Sequence, residues 1–222
     1  MPQLPQNIES LQTRLQARIP AAKLSASCLP DCPTLKLWLL NADYPQWELD
    51  GEQAASLMNK PPFWSFCWAS GQVLAQYILD NPQLVSGQQV VDFGGGSGVV
   101  AIAALKAGAK SAIVCDIDAD ARLASQCNAQ LNDVEMSCVD SIDGIPPCDV
   151  ITVADVFYDR DNLPLLVKLH SRCLKMLVGD SRLKGQALDG MEIVSDSKSH
   201  TVPDLDESQE FRHVYIYQSK SS

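Results

Sequence analysis

Hydrophobic positions alternate between a helical spacing and short unbroken runs, and the changes between the two divide the chain into elements. Leu4, Ile8, Leu11, Leu15 and Ile19 recur every three or four residues, which predicts an amphipathic helix stopped by Pro20. Leu35 to Leu40 reads as a strand turned near Asn41 to Pro45, and Val73, Leu74, Tyr77 and Ile78 mark the inner face of a second helix with Ser70 as its candidate cap. From Val90 the pattern becomes strand, glycine turn and apolar helix to Leu105, and Gly108 ends that helix. Four further runs read as strands in alternation with helices: Ser111 to Cys115, Met136 to Val139, Asp149 to Ala154 and Lys175 to Gly179. One intervening helix turns Leu123 and Cys127 inward, and the other carries Leu165, Leu166, Leu169 and Cys173. Met191 to Val194 and Phe211 to Tyr217 are strand-like, with the polar span Ser195 to Gln209 expected as a long loop. Such alternation predicts an α/β fold, a Rossmann-like parallel sheet with helices on both faces. Residues 1–60 form an N-terminal helical and strand extension packed on the core, and residues 61–222 form the main domain.

The chemistry gathers at strand ends. Asp92 closes the first strand of the main domain, and Gly94, Gly96 and Gly98 follow at alternate positions. Glycine accepts positive φ and lets a ligand approach bare backbone at the first turn of a helix. The dinucleotide fingerprint needs glycine where Val99 stands, a Walker loop needs a lysine, and a nucleophile elbow needs glycine two residues after Ser97. Asp116 ends the next strand, placed to accept both hydroxyls of a ribose, while Asp118 and Asp120 are expected to cap the following helix. Asp140 and Ser141 are placed to meet an adenine amino group, with a turn or capping role equally open. In an open parallel sheet a ligand lies beyond the carboxyl ends of the strands where the strand order reverses. Asp155 and Tyr158 follow the fourth strand, where a substrate should approach that point. Trp64 and Trp68 precede the second helix, as core residues or as aromatic surface against a cation.

Composition narrows the function classes. The chain has 222 residues, 46% of them hydrophobic, as in an ordinary globular domain. A net charge of −10 disfavours nucleic acid as the main partner, since phosphate contacts require clustered Lys and Arg. Eight cysteines are present, but their spacing matches no zinc module, so they read as reduced small hydrophobes and no metal is expected. No apolar run approaches the ~20 residues of a membrane span, and no signal peptide is evident. A cytoplasmic protein is the expectation. His170, His200 and His213 fall in segments poorly placed for catalysis.

Together, Asp92 to Gly98, Asp116 and the Asp155-x-x-Tyr158 motif after the fourth strand resemble the seven-β-strand protein lysine methyltransferases, methyltransferase family 16. The likeness runs from Pro61 to Asp180, through Pro62-Phe63-Trp64, Trp68, Asp116-Ile117-Asp118 and Val178-Gly179-Asp180. Ala69-Ser70 stand where the family tends to carry Pro-Gly. The resemblance implies a seven-stranded methyltransferase sheet and S-adenosylmethionine as cofactor. It implies cofactor contacts from Trp68, Asp92, Gly94, Gly96, Gly98, Asp116, Asp140 and Ala154, and acceptor-side roles for Asp155 and Tyr158. It also implies a protein substrate presenting a lysine, similar to the branch that acts on the electron transfer flavoprotein β subunit. A small-molecule, nicotinamide-like acceptor is the alternative.

Overall fold

The computed structural model describes residues 6–44, 61–157, 160–204 and 208–220. Leu4 and Tyr158 lie outside the described residues. The chain opens with α1 (Gln6–Arg18), followed by the antiparallel hairpin of β1 (Leu24–Cys28) and β2 (Lys36–Leu40). α2 (Ala69–Asp80) leads into β3 (Gln89–Phe93), α3 (Val99–Lys106), β4 (Ser111–Cys115), α4 (Ala119–Leu131) and β5 (Ser137–Val139). β6 (Cys148–Ala154), α5 (Leu163–His170), β7 (Cys173–Asp180), β8 (Met191–Lys198) and β9 (His213–Ser219) complete the order.

Seven strands form one sheet in the order β5-β4-β3-β6-β7-β9-β8. The neighbours from β5 to β7 are parallel, and β9 runs antiparallel to both β7 and β8. The chain builds outward from β3 to β5 and then returns to lay β6 on the other side of β3, so the crevice opens between β3 and β6. Successive residues of the central strands serve opposite faces, as the pleat requires. Val90, Val150 and Leu177 pack under α2 and α3, whereas Val91, Ile151 and Met176 pack with Leu166 and Leu169 of α5. Gly179 lets α2 press close, since a Cβ there would lie 3.0 Å from the Ser70 carbonyl oxygen.

α1 and the β1-β2 hairpin pack on this core. Ile8, Leu11, Leu15 and Ile19 of the α1 region bury against Trp64, Ala121, Ala124 and Cys127. Asn128 of α4 and Asn132, the residue that caps its carboxyl end, dock the hairpin: Asn132 accepts from the Lys36 amide at 3.0 Å and donates to its carbonyl at 2.6 Å, and Asn128 accepts from the Trp38 amide at 2.6 Å.

Three local expectations are corrected. β8 continues through the polar residues to Lys198, held by backbone pairing to β9, so Ser195 to Gln209 is not one long loop. Cys173 opens β7 instead of closing the preceding helix. Ser70 lies inside α2, whose cap position is Trp68.

Candidate active site

A cavity of about 1090 Å³ opens at the carboxyl ends of β3, β4 and β6. Strand order divides its wall. Residues after β3, β4 and β5 (Gly94 to Ser97, Asp116 to Ala121, Ser141 to Asp143) form one half. Phe63, Trp68, Asp155, Leu165, Arg182 and Phe211 belong to the other.

The first half is built from local turns. Asp92 is 1% exposed, and its carboxylate accepts from the Thr152 hydroxyl at 2.9 Å and from the Ala101 amide at 3.2 Å. It thereby satisfies a first-turn donor of α3 that Gly98, lacking a side chain, leaves open. Burial raises its pKa to about 7, against the lowering effect of these two hydrogen bonds. Gly94, Gly96 and Gly98 all have positive φ, but what a side chain would meet differs. At Gly94 a Cβ would lie 2.5 Å from Val156 Cγ2, and at Gly98 one would lie 2.7 Å from Ser125 Cβ. At Gly96 the nearest atom is the Gly94 carbonyl oxygen at 3.9 Å, so this glycine alone of the three presents open backbone to the cavity. Gly98 is the cap of α3 and is not part of the cavity wall.

Asp116 ties the two turns together. Its carboxylate accepts from the Gly96 amide at 3.0 Å and from the Asp118 amide at 2.9 Å, and burial raises its pKa. Asp118 caps α4 by accepting from the Asp120 amide at 2.9 Å. Asp120 does not cap; it forms ion pairs with Arg14 at 2.6 Å and with Arg18. Asp140 is exposed and off the cavity wall, whereas its neighbour Ser141 is on it.

The second half is assembled from distant segments. Phe63 and Trp68 pack as tilted rings 5.7 Å apart, and the Trp68 indole donates to the Phe63 carbonyl at 3.1 Å. Trp64 also reaches the cavity wall, but it is 1% exposed and belongs mainly to the core around α1. Ala154 ends β6 beside Asp155, and both are on the wall. Asp155 has φ +52°, unusual for a residue with a side chain, and its amide donates to the Gly179 carbonyl at 3.2 Å. Buried Ser70 donates to the Asp155 carboxylate at 2.6 Å, which explains its place inside α2. Arg182 follows β7 and lies 4.1 Å over the Phe211 ring. Asp180 holds this turn by accepting from the Arg182 and Leu183 amides at 2.7 and 2.8 Å, and its burial raises its pKa. Arg182, Phe211 and Ser70 were not legible as site residues. The only signal was the polar Asp180-Ser181-Arg182 run directly after a strand.

Among the described residues no group of His, Cys, Asp and Glu is arranged to hold a metal ion. The open backbone at Gly96 beside the half-buried Asp116 carboxylate suits a ribose, with neutral Ser141 further along the wall.

The family model of the ribosomal protein L11 methyltransferase (PrmA) matches residues 73–159. A Caenorhabditis elegans electron transfer flavoprotein beta subunit lysine methyltransferase homolog is 32% identical over 171 residues, covering 67% of this chain and 69% of the relative. The chain belongs to this methyltransferase family. The human electron transfer flavoprotein beta subunit lysine methyltransferase is also 32% identical, over 67% of this chain and 59% of its own length. Across the vertebrate relatives the chain spans between 46% and 60% of their length. Among solved structures, the ribosomal protein L11 methylase of Lactobacillus delbrueckii matches with a TM-score of 0.52 at 22% identity, over 69% of this chain and 79% of that one. That likeness supports the seven-stranded fold that the family shares.

Proposed function

We propose that this chain is an S-adenosylmethionine-dependent N-methyltransferase whose acceptor is a lysine side chain of a protein, the electron transfer flavoprotein β subunit. The observation that carries the reading is the meeting of Gly96, Asp116 and Asp155 in one cavity. Gly96 offers backbone to the cofactor, Asp116 accepts from its ribose hydroxyls, and Ser141 meets the base edge. Asp92, Gly94 and Gly98 hold the shape of the loop, keeping it and α3 in register. Trp68 and Ala154 flank the reacting end. When bound, S-adenosylmethionine supplies an electrophilic methyl group on a sulfonium that is already a good leaving group.

What remains for the protein is alignment and a dry cleft. The lysine nitrogen must arrive neutral, because its lone pair forms the new bond. Desolvation against Phe63 and Trp68 lowers an amine's pKa, while the negative charge of Asp155 raises it. Asp155 therefore serves best as an acceptor for an amine N–H that points the lone pair inward. Ser70 fixes the orientation of that carboxylate. Tyr158 completes the acceptor side in this reading. The names of the relatives favour a protein acceptor over a nicotinamide-like one.

The test is transfer of labelled methyl from S-adenosylmethionine to the purified electron transfer flavoprotein β subunit of the same organism, read by mass spectrometry of its lysines. Methylated lysine is the expected result. Label confined to small molecules in a cell lysate would overturn the acceptor assignment.

A further inference from the structure

The glycine loop and Asp116 are both held in place from residues that precede the main domain. On one side, buried Asn128 of α4 donates to the Ser97 carbonyl at 2.8 Å, directly after Gly96. The same side chain accepts from the Trp38 amide of β2 at 2.6 Å, so one amide group joins the loop to the hairpin. On the other side, the Asp118 amide donates to Asp116, and the Asp118 carboxylate lies 3.5 Å from Arg18 at the end of α1. Arg18 and Arg14 also pair with Asp120, which is only 7% exposed. The two arginines thus offset a run of three carboxylates beside the cavity. Partly buried pairs of this kind are screened less by salt than exposed ones. The side chain of Arg14 is 47% exposed and that of Arg18 only 17%, which makes Arg18 the stronger link.

We propose that the N-terminal extension is a working part of the cofactor site, with Arg18 and Asn128 as positioning residues that set Asp116 and the glycine loop. This rests on the reading of the cavity as an S-adenosylmethionine site. It departs from an extension that merely covers the core. Removing either link leaves the cavity walls chemically intact but frees the Gly96 amide from its fixed relation to Asp116. The cost falls on binding of the nucleoside, not on transfer once it is bound.

The experiment uses the full chain with Arg18→Met, Arg18→Lys and Asn128→Leu, and S-adenosylhomocysteine as the probe. Arg18→Met and Asn128→Leu should each weaken probe affinity about tenfold, within the range of measured couplings between linked sites. KM for S-adenosylmethionine should rise by the same factor while kcat at saturation stays within about twofold. Arg18→Lys should recover much of the loss. In ligand-free protein, hydrogen exchange of the Gly96 amide should accelerate in both weakened variants. Affinity within about twofold of the parent, with unchanged exchange at Gly96, overturns the proposal. If Asn128→Leu does not fold, the two Arg18 variants decide, because that residue ends α1 and is not part of the hydrophobic core. If the parent protein itself fails to bind the probe, the methyltransferase reading falls, and the exchange comparison still decides whether the extension positions the loop.

Discussion

The two halves of the cavity are made in different ways. The half proposed for the cofactor draws on residues 92–97, 116–121 and 141–143, each segment lying within a few residues of the end of β3, β4 or β5. Several of its hydrogen bonds join neighbouring turns, Asp116 to Gly96 and Asp118 and Asp92 to Ala101, while Thr152 and Asn128 brace it from β6 and α4. The half proposed for the acceptor gathers Phe63, Asp155, Arg182 and Phe211 from four separated segments, and its key bond joins Ser70 to Asp155 across 85 positions. The wall residues of a site made of consecutive β-α turns are placed by local backbone geometry, even where distant side chains brace them. A site made by tertiary assembly can change its chemistry without disturbing the first. Cofactor affinity and methyl transfer should therefore separate cleanly under mutation.

Gly96→Val should have the largest effect. Its φ of +51° is unfavourable for a β-branched residue, and the new side chain would project into the space the cofactor needs. Binding of S-adenosylhomocysteine should fall about 100-fold or more, with far-ultraviolet circular dichroism unchanged. A folded variant that still binds would break the cofactor half of the comparison. Asp155→Ala should do the converse, lowering turnover ~10²-fold while probe affinity stays within about twofold, as expected for loss of an electrostatic partner. A joint loss of affinity and thermal stability would assign Asp155 to the scaffold. Asp116→Ala comes next, weakening binding by about 1–3 kcal/mol in calorimetry, the range for an unpaired polar group. Unchanged affinity would reduce Asp116 to a brace for the turn.

The smallest effect concerns Asp92. Its folded pKa, raised to about 7 by burial, exceeds the ordinary carboxylate value. As pH rises from about 4 through 7 the unfolded state ionises first, so this group's contribution to stability falls across that window. Asp92→Asn can keep the Ala101 bond through its carbonyl and donate to Thr152, without ionising. Urea unfolding at about pH 5 and about pH 8 should show a smaller difference for the variant than for the parent. Equal differences would mean that Asp92 is not the titrating group.

What the sequence disclosed follows the same division. Ser111 to Cys115 is a strand at both ends as expected, and Asp116 and Asp155 stand where strand ends predicted, because apolar runs and glycine turns are local signals. β1 was silent, since Leu-Ser-Ala-Ser-Cys carries no apolar period and exists by pairing with β2. The second half of β8 was hidden for the same reason: Ser195 to Lys198 is polar and held by backbone bonds to β9. Ser70 has the composition of a helix cap, and only the folded chain brings its hydroxyl to Asp155. Asn128, in mid-helix, gives no local hint that it bridges Trp38 and Ser97. Side chains whose partners lie far along the chain leave no periodicity to read.

The most direct test of the central claim is a calorimetric titration of the parent protein with S-adenosylhomocysteine, alongside NAD at the same concentrations. Saturable one-site binding of S-adenosylhomocysteine with no heat from NAD is the predicted result. Binding of NAD without S-adenosylhomocysteine would contradict the account, since the cavity would then hold a dinucleotide without the third glycine that such a site requires.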